Sequence, residues 1–143
     1  MPIALVSAQG PPTNADATFK ASDLGLALCE FDILFEVSGK ANMIVLPGGG
    51  LILTSPGLHA TLTNLANEEN QVTLNITGAF HNTTLENGNM QTVYTGRSLF
   101  FDPLEGFVLL IGKFTGVADA STNMLVQPLE GNGQKIDVCG LLD

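Results

Sequence analysis

The sequence predicts an all-β protein: a single antiparallel up-and-down β-barrel of about eight to ten strands, with a β-sandwich as the alternative. Three observations support this class. Apolar and polar residues alternate with a period of two along most of the chain, the pattern of strands with one face in a core. Turn-forming residues interrupt these runs at intervals of about 8 to 15 residues. No stretch has the period of an amphipathic helix of any length.

The barrel is favoured over the sandwich for two reasons. Successive hairpins with short loops make neighbouring strands run up and down in chain order. Closure also removes the open sheet edges that a chain rich in exposed threonine and asparagine would otherwise present.

Residues 1–14 are expected to be an N-terminal arm or the remnant of a secretory signal, and residues 15–143 the barrel domain. Pro2 to Gln9 is short, apolar and ends in small residues, like the end of a signal peptide. An ordinary first strand, Ile3 to Val6, is the other interpretation. No apolar run reaches the length of about 18 residues that a transmembrane helix needs, so no membrane insertion is predicted.

The first strong strand starts at Phe31. Phe31, Ile33, Phe35 and Val37 occupy alternate positions, so these four are expected to face the core. The glycine-rich run that follows, Pro47-Gly48-Gly49-Gly50, is interpreted as a tight loop between strands. It lacks the lysine and the hydroxyl residue of a phosphate-binding loop, and it therefore predicts no nucleotide site.

The stretch from Met90 to Phe114 organises the predicted sheet. It consists of two long strands joined by turn-forming residues at 102–106. Both alternating faces of the second strand, Phe107–Phe114, are apolar, which places it at the centre of a sheet or at a seam with another subunit. Residues 124–129 and 134–139 are expected to form the last strands.

Two cysteines are present, Cys29 near the start of the first strong strand and Cys139 near the end of the last. In a secreted protein this placement predicts one disulfide that closes a loop of about 110 residues and stabilises the fold by roughly 4 to 5 kcal/mol. Two unpaired buried thiols are the alternative. The pair alone predicts no metal site, because structural zinc takes four ligands.

The composition limits the partners. Five basic and fourteen acidic residues give a formal charge of −9. Nucleic acids and anionic membrane surfaces are bound by clusters of lysine and arginine, so neither is expected as a partner. A cationic or neutral partner stays open. No cofactor-binding motif occurs, and no cofactor is predicted.

Five short segments carry a resemblance to a known family. They are residues 27–31 (ALCEF), 63–65 (TNL), 72–78 (VTLNITG), 95–99 (TGRSL) and 136–139 (IDVC). Together they resemble a family of small secreted actinobacterial β-proteins of uncharacterised function, over most of residues 27–142. The resemblance implies a secreted, extracellular protein with a disulfide, and it implies no activity.

A second similarity is confined to one strand. Gly112-Lys113-Phe114-Thr115-Gly116 resembles the glycine-flanked strand of dirigent proteins and allene oxide cyclases. That similarity implies an eight-stranded barrel that steers a reactive apolar intermediate.

Three residues are candidates for catalysis: Arg97, Tyr94 and His81. Arg97 is the sole arginine and Tyr94 the sole tyrosine, and they lie in opposite phases of one strand. Only one of them points inward unless a bulge, which Gly96 could supply, separates them. An inward guanidinium needs an anionic partner, whereas an outward Arg97 would pair across strands. The candidate partners of an inward Arg97 are Glu36, Asp102 and Glu105, and those of an outward Arg97 are Asp32 and Glu36.

The two histidines do not predict a metal site. His59 shares the expected solvent face with two threonines, and the facing of His81 is left open by the glycine before it. A site made of His59, His81 and a carboxylate lacks any ligand spacing typical of metal proteins. No metal is predicted.

Three functions fit these observations. The first is a secreted barrel that binds a small apolar ligand in its lumen. The second is a cyclase or isomerase of the dirigent or allene oxide cyclase kind in the same lumen. The third is a structural homo-oligomer joined through the Phe107–Phe114 strand, without a ligand. The residues expected to line the lumen are Phe31, Ile33, Phe35, Leu74, Ile76, Phe107 and Leu109.

Overall fold

The computed structural model describes residues 13–14, 16–46 and 50–143, and the regular secondary structure within these ranges consists almost entirely of β-strands. All pairings between the described strands are antiparallel, so the predicted all-β antiparallel class is confirmed. The strands are β1 (Thr13–Asn14), β2 (Ala17–Lys20), β3 (Ile33–Ser38), β4 (Lys40–Leu46), β5 (Gly50–Thr54), β6 (His59–Asn64), β7 (Gln71–Asn75), β8 (Gly78–Thr84), β9 (Met90–Asp102), β10 (Gly106–Ile111), β11 (Phe114–Ala118), β12 (Glu130–Gly131) and β13 (Gln134–Asp137).

Two short helices complete the described part of the chain. A 3-10 helix spans Ala21–Leu24, and α1 spans Val138–Leu142. Neither is long and apolar enough to cross a membrane.

Three predictions fall wholly or largely outside the described residues. They concern the secretory-signal remnant within residues 1–14, the alternative strand Ile3–Val6, and residues 47–49 of the glycine-rich loop. The boundary at residue 14 between an N-terminal arm and the barrel domain stays a prediction.

The fold is barrel-like, and its described wall is divided between two sheets. The small sheet has the order β2-β3-β6-β7 and curls into a half-barrel. The large sheet has the order β1-β4-β5-β9-β10-β13; β8 and β11 join it along the first half of β9, and β12 pairs with β11. The structure therefore combines features of both predictions. One sheet is curled, as expected for a barrel, and two sheets enclose the main core, as expected for a sandwich.

The main core lies between the two sheets. Ile33 and Phe35 are fully buried on β3, as their period-two spacing predicts. The ring of Phe35 lies 6.2 Å from the ring of Phe107 on β10, which joins the small sheet to the large one. The other large-sheet residues of the main core are Leu51, Leu53, Leu99 and Leu109.

Strand β9 is shared by two parts of the large sheet. Its first half, from Met90 to Tyr94, lies between β8 and β11, and its second half lies between β5 and β10. The halves meet at Gly96, where φ is +79° and an added Cβ would lie 2.7 Å from the Thr77 carbonyl oxygen. A side chain there would be strained and would collide, so glycine is required at this point.

Strand β10 lies between β9 and β13 and is covered on both faces, in agreement with its two apolar faces. Phe107 and Leu109 belong to the main core, while Val108 and Leu110 belong to a second cluster on the opposite face of the large sheet. The residues that suggested a seam with another subunit are therefore covered by this chain itself.

The disulfide between Cys29 and Cys139 is present, with the two Cα atoms 5.6 Å apart. Neither thiol is free, so the alternative of two unpaired cysteines is wrong. The bond fastens the segment before β3 to α1, which follows β13 and contacts β10 of the main core.

Candidate functional site

One face of β9 lines a cavity of about 150 Å³. Because side chains alternate along a strand, its even-numbered residues share this face. Five of them contribute to the wall: Met90, Thr92, Tyr94, Phe100 and Asp102. We call this space the Tyr94 cavity. The remaining lining residues are Ile52, Phe80, Asn82, Ala118, Asn123 and Leu125.

Aromatic rings form one part of the wall. Phe80 on β8 lies directly across from Tyr94 on β9. The rings of Tyr94 and Phe100 meet edge to face, with centroids 5.4 Å apart and planes at 68°. This is a favoured geometry for an aromatic pair, and it gives the cavity walls of different orientation.

Polar groups form a second part of the wall. The Thr92 hydroxyl donates a hydrogen bond of 2.7 Å to Oδ1 of Asn82, its cross-strand neighbour. Asp102, with its carboxylate, is a buried residue that is 4% exposed as a whole. A mainly apolar cavity with a few polar groups is the usual composition of a small-molecule site.

An irregular segment, residues 119–129, covers the cavity; we call it the strap. It contributes Leu125 to the wall, and Leu129 is buried in the second cluster. A Cβ on Gly116 of β11 would lie 2.5 Å from Cδ2 of Leu129 and 3.1 Å from Cδ2 of Leu125. The absence of a side chain at Gly116 therefore lets both leucines lie against the sheet.

Two carboxylates at the turn between β9 and β10 hold the strap. Asp102 accepts the amide of Leu125 through Oδ2 at 3.1 Å and the amide of Leu104 through Oδ1 at 2.7 Å. Glu105 accepts the amide of Leu129 at 2.6 Å through Oε2. The same oxygen pairs with the ammonium group of Lys135 at 2.9 Å. The strap is thus fixed near its middle and at its end.

Burial raises the pKa of the Tyr94 phenol well above its usual value of about 10. A hydrogen bond with Thr92 opposes this shift, and the negative charge of Asp102 reinforces it. Tyr94 therefore stays neutral and able to donate a hydrogen bond throughout the physiological pH range.

The structure does not bring the three predicted catalytic residues together. Tyr94 lines the cavity, whereas Arg97 lies on the opposite face of β9, where its Nε donates a 2.7 Å hydrogen bond to the carbonyl oxygen of Asn75. His81 is exposed on the outer face of β8, across from Val93. Tyr94 is buried in the second cluster, whereas Arg97 is partly exposed on the other side of the Gly96 bend.

The partners expected for Arg97 are engaged or placed elsewhere. Asp102 and Glu105 bind the strap, Asp32 accepts hydrogen bonds from Ser22, and Glu36 is exposed on β3. A backbone carbonyl takes their place. Because Arg97 is partly exposed to solvent, its guanidinium does not need a buried carboxylate as a partner.

The histidines lie on exposed strand positions. His59 is exposed on β6, across from Asn75, as its pattern predicted. In the part of the chain that the structure describes, no group of three or more His, Cys, Asp or Glu side chains converges.

The residues expected to line a lumen lie in the main core. Six are buried and Phe31 is partly buried, so their side chains fill the space between the two sheets. The Tyr94 cavity lies on the other face of the large sheet. The six buried residues are Ile33, Phe35, Leu74, Ile76, Phe107 and Leu109.

Sequence reasoning missed Phe100, Asp102 and Leu125 as cavity residues. Asp102 was interpreted as a turn residue, and the expected strand at 124–129 is part of the strap instead. One signal was present: Thr92 and Tyr94 place hydroxyl groups on an otherwise apolar strand, at positions that share a face.

The chain was compared with known proteins in three ways. Neither the profiles of known protein families, nor curated protein sequences, nor solved structures give a match. The resemblances to the secreted actinobacterial family and to dirigent and allene oxide cyclase barrels stay predictions.

Proposed function

We propose that this protein binds a small molecule with a largely apolar body in the Tyr94 cavity. The observation that carries the proposal is the cavity of about 150 Å³ between β9 and the strap. An apolar cavity of about this size binds a benzene-sized guest in other proteins. The Tyr94 hydroxyl and the Asp102 carboxylate add the few polar groups that orient a ligand in such a site.

We propose an extracellular setting for this binding. The Cys29–Cys139 disulfide supports it, because structural disulfides persist in oxidising compartments. The formal charge of −9 supports a partner that is neutral or cationic.

A second candidate is a cyclisation or isomerisation catalysed in the same cavity. One observation favours it: Tyr94 presents a protonated hydroxyl in a wall that also contains the Asp102 carboxylate. A buried O–H donor can polarise a substrate, and a carboxylate can accept a proton. The packed main core supports the absence of a lumen ligand in the third candidate, the structural homo-oligomer joined through the Phe107–Phe114 strand.

Binding is tested with benzene as a probe of the cavity. We expect saturable binding to the wild type, measured by ligand-observed NMR and by the thermal midpoint. At ten times Kd the stabilisation should be about 1.4 kcal/mol. Ala118→Phe, which places a ring inside the cavity, should abolish binding.

Val117→Phe is the matched control, because Val117 is the neighbour of Ala118 on β11 and lies on its other face. It should bind benzene like the wild type. Equal binding by wild type and Ala118→Phe would refute the site. No binding by the wild type would favour the structural candidate.

A further inference from the structure

We infer that the ligand of the Tyr94 cavity is a small organic cation of the alkylated ammonium class. This inference rests on the proposed function and adds a positive charge to the ligand. It combines three features of the cavity: its aromatic walls, its buried carboxylate and its size.

The first feature is the aromatic wall. Phe80, Tyr94 and Phe100 all line the cavity, and the planes of the last two are turned by 68° to one another. The face of an aromatic ring carries a partial negative charge that attracts ammonium groups, and several rings around one space form the usual recognition site for methylated ammonium ions.

The second feature is Asp102. Among the described residues that line the cavity, it is the one charged side chain. Both of its oxygens accept backbone amides, and each keeps a further lone pair. The ion pair found in the described part of the chain joins Lys135 to Glu105, so Asp102 is without a cationic side-chain partner there. A buried carboxylate of this kind favours a bound positive charge.

The third feature is the combination of size and chemistry. A metal ion such as Ca²⁺ takes about six to eight oxygen ligands. A single carboxylate beside aromatic rings does not provide that many, so the cavity is unsuited to such an ion. A space that accommodates a benzene-sized guest also accommodates a tetramethylammonium group, which is apolar on its surface and charged at its centre. The acidic chain, with its charge of −9, also attracts cations toward the site.

The test compares two probes of nearly equal shape, choline and 3,3-dimethylbutan-1-ol, in which carbon replaces the charged nitrogen. Titration calorimetry on the full, disulfide-bonded chain should show choline binding at least about tenfold more tightly than its neutral analogue. Tetramethylammonium should compete with choline. The preference for charge should fall several-fold in Phe80→Leu, which removes one ring.

Asp102→Asn should reduce the preference several-fold and leave the part that the aromatic rings contribute, and Glu36→Gln, which removes an exposed charge on β3, should leave the preference unchanged. If Asp102→Asn does not fold, the inference is tested by the ratio of choline affinity to analogue affinity in the wild type and in Phe80→Leu. Equal or tighter binding of the neutral analogue would overturn the cationic inference and leave the proposed function intact. If the protein binds none of choline, the neutral analogue and benzene, both the cationic inference and the proposed function are overturned.

Discussion

The backbone amide of Leu125 donates a hydrogen bond of 3.1 Å to Oδ2 of Asp102, 23 residues earlier in the chain. The second oxygen of this carboxylate holds the amide of Leu104, so one buried side chain closes the turn after β9 and fixes the strap.

Asp102→Ala is expected to destabilise the fold by about 2 to 3 kcal/mol, because two partly buried amides lose their charged acceptor. Chemical denaturation measures the loss. Glu86→Ala, at an exposed turn position, should change the free energy of unfolding by less than about 0.5 kcal/mol. Similar losses for both variants would contradict the role assigned to Asp102.

Gly116→Ala should destabilise the protein by about 1 to 3 kcal/mol, since its methyl group would collide with Leu129 of the strap. Leu129→Ala alone leaves a void. The double variant should be more stable than the sum of the two single effects predicts, because the smaller side chain makes room for the new methyl group. Additive losses in this cycle would show that the two positions are not in contact.

The single tyrosine gives a direct readout of the cavity wall. The folded-state pKa of Tyr94 is raised, so the stability that it contributes is complete below about pH 10 and decreases as the pH rises above that value, where the unfolded chain ionises first. Tyrosinate absorbance should therefore appear together with the loss of β-sheet circular dichroism. Ionisation at about pH 10 with the sheet intact would contradict the burial of this hydroxyl.

Reduction of the disulfide should lower the free energy of unfolding by about 4 to 5 kcal/mol, because the bond closes a long loop in the unfolded chain. Its partners are 110 residues apart. The double variant Cys29→Ser, Cys139→Ser should show the same loss without a reductant. A thermal midpoint that reductant leaves unchanged would refute this contribution.

Much of the fold follows from local sequence patterns. The alternation from Phe31 to Val37 identifies β3 and its core face, and the two apolar faces of residues 107–111 place β10 inside a sheet. Such patterns report which face is buried, and they carry no information about what covers it. For that reason, Ile33 and Phe35 were assigned to a ligand lumen, although they form a packed interior.

The candidate site was harder to predict because it depends on distant pairings. Tyr94 was identified from its residue type, yet its neighbour Phe100 is brought close by the bend at Gly96. Asp102 has the sequence context of an ordinary turn residue. Its role depends on the strap, and a hydrogen bond to a backbone amide leaves no trace in the residue types of the strap.

Strand β9 also sets a limit on how this protein can be redesigned. Leu99 packs into one interior and the adjacent Phe100 into the other, so a single backbone segment serves as a common partition. A substitution that changes side-chain volume in one cluster and shifts β9 therefore also disturbs the packing of the other cluster. Enlarging the Tyr94 cavity is therefore safest from β8 or the strap, whose buried side chains pack in the second cluster and not in the main core behind the partition.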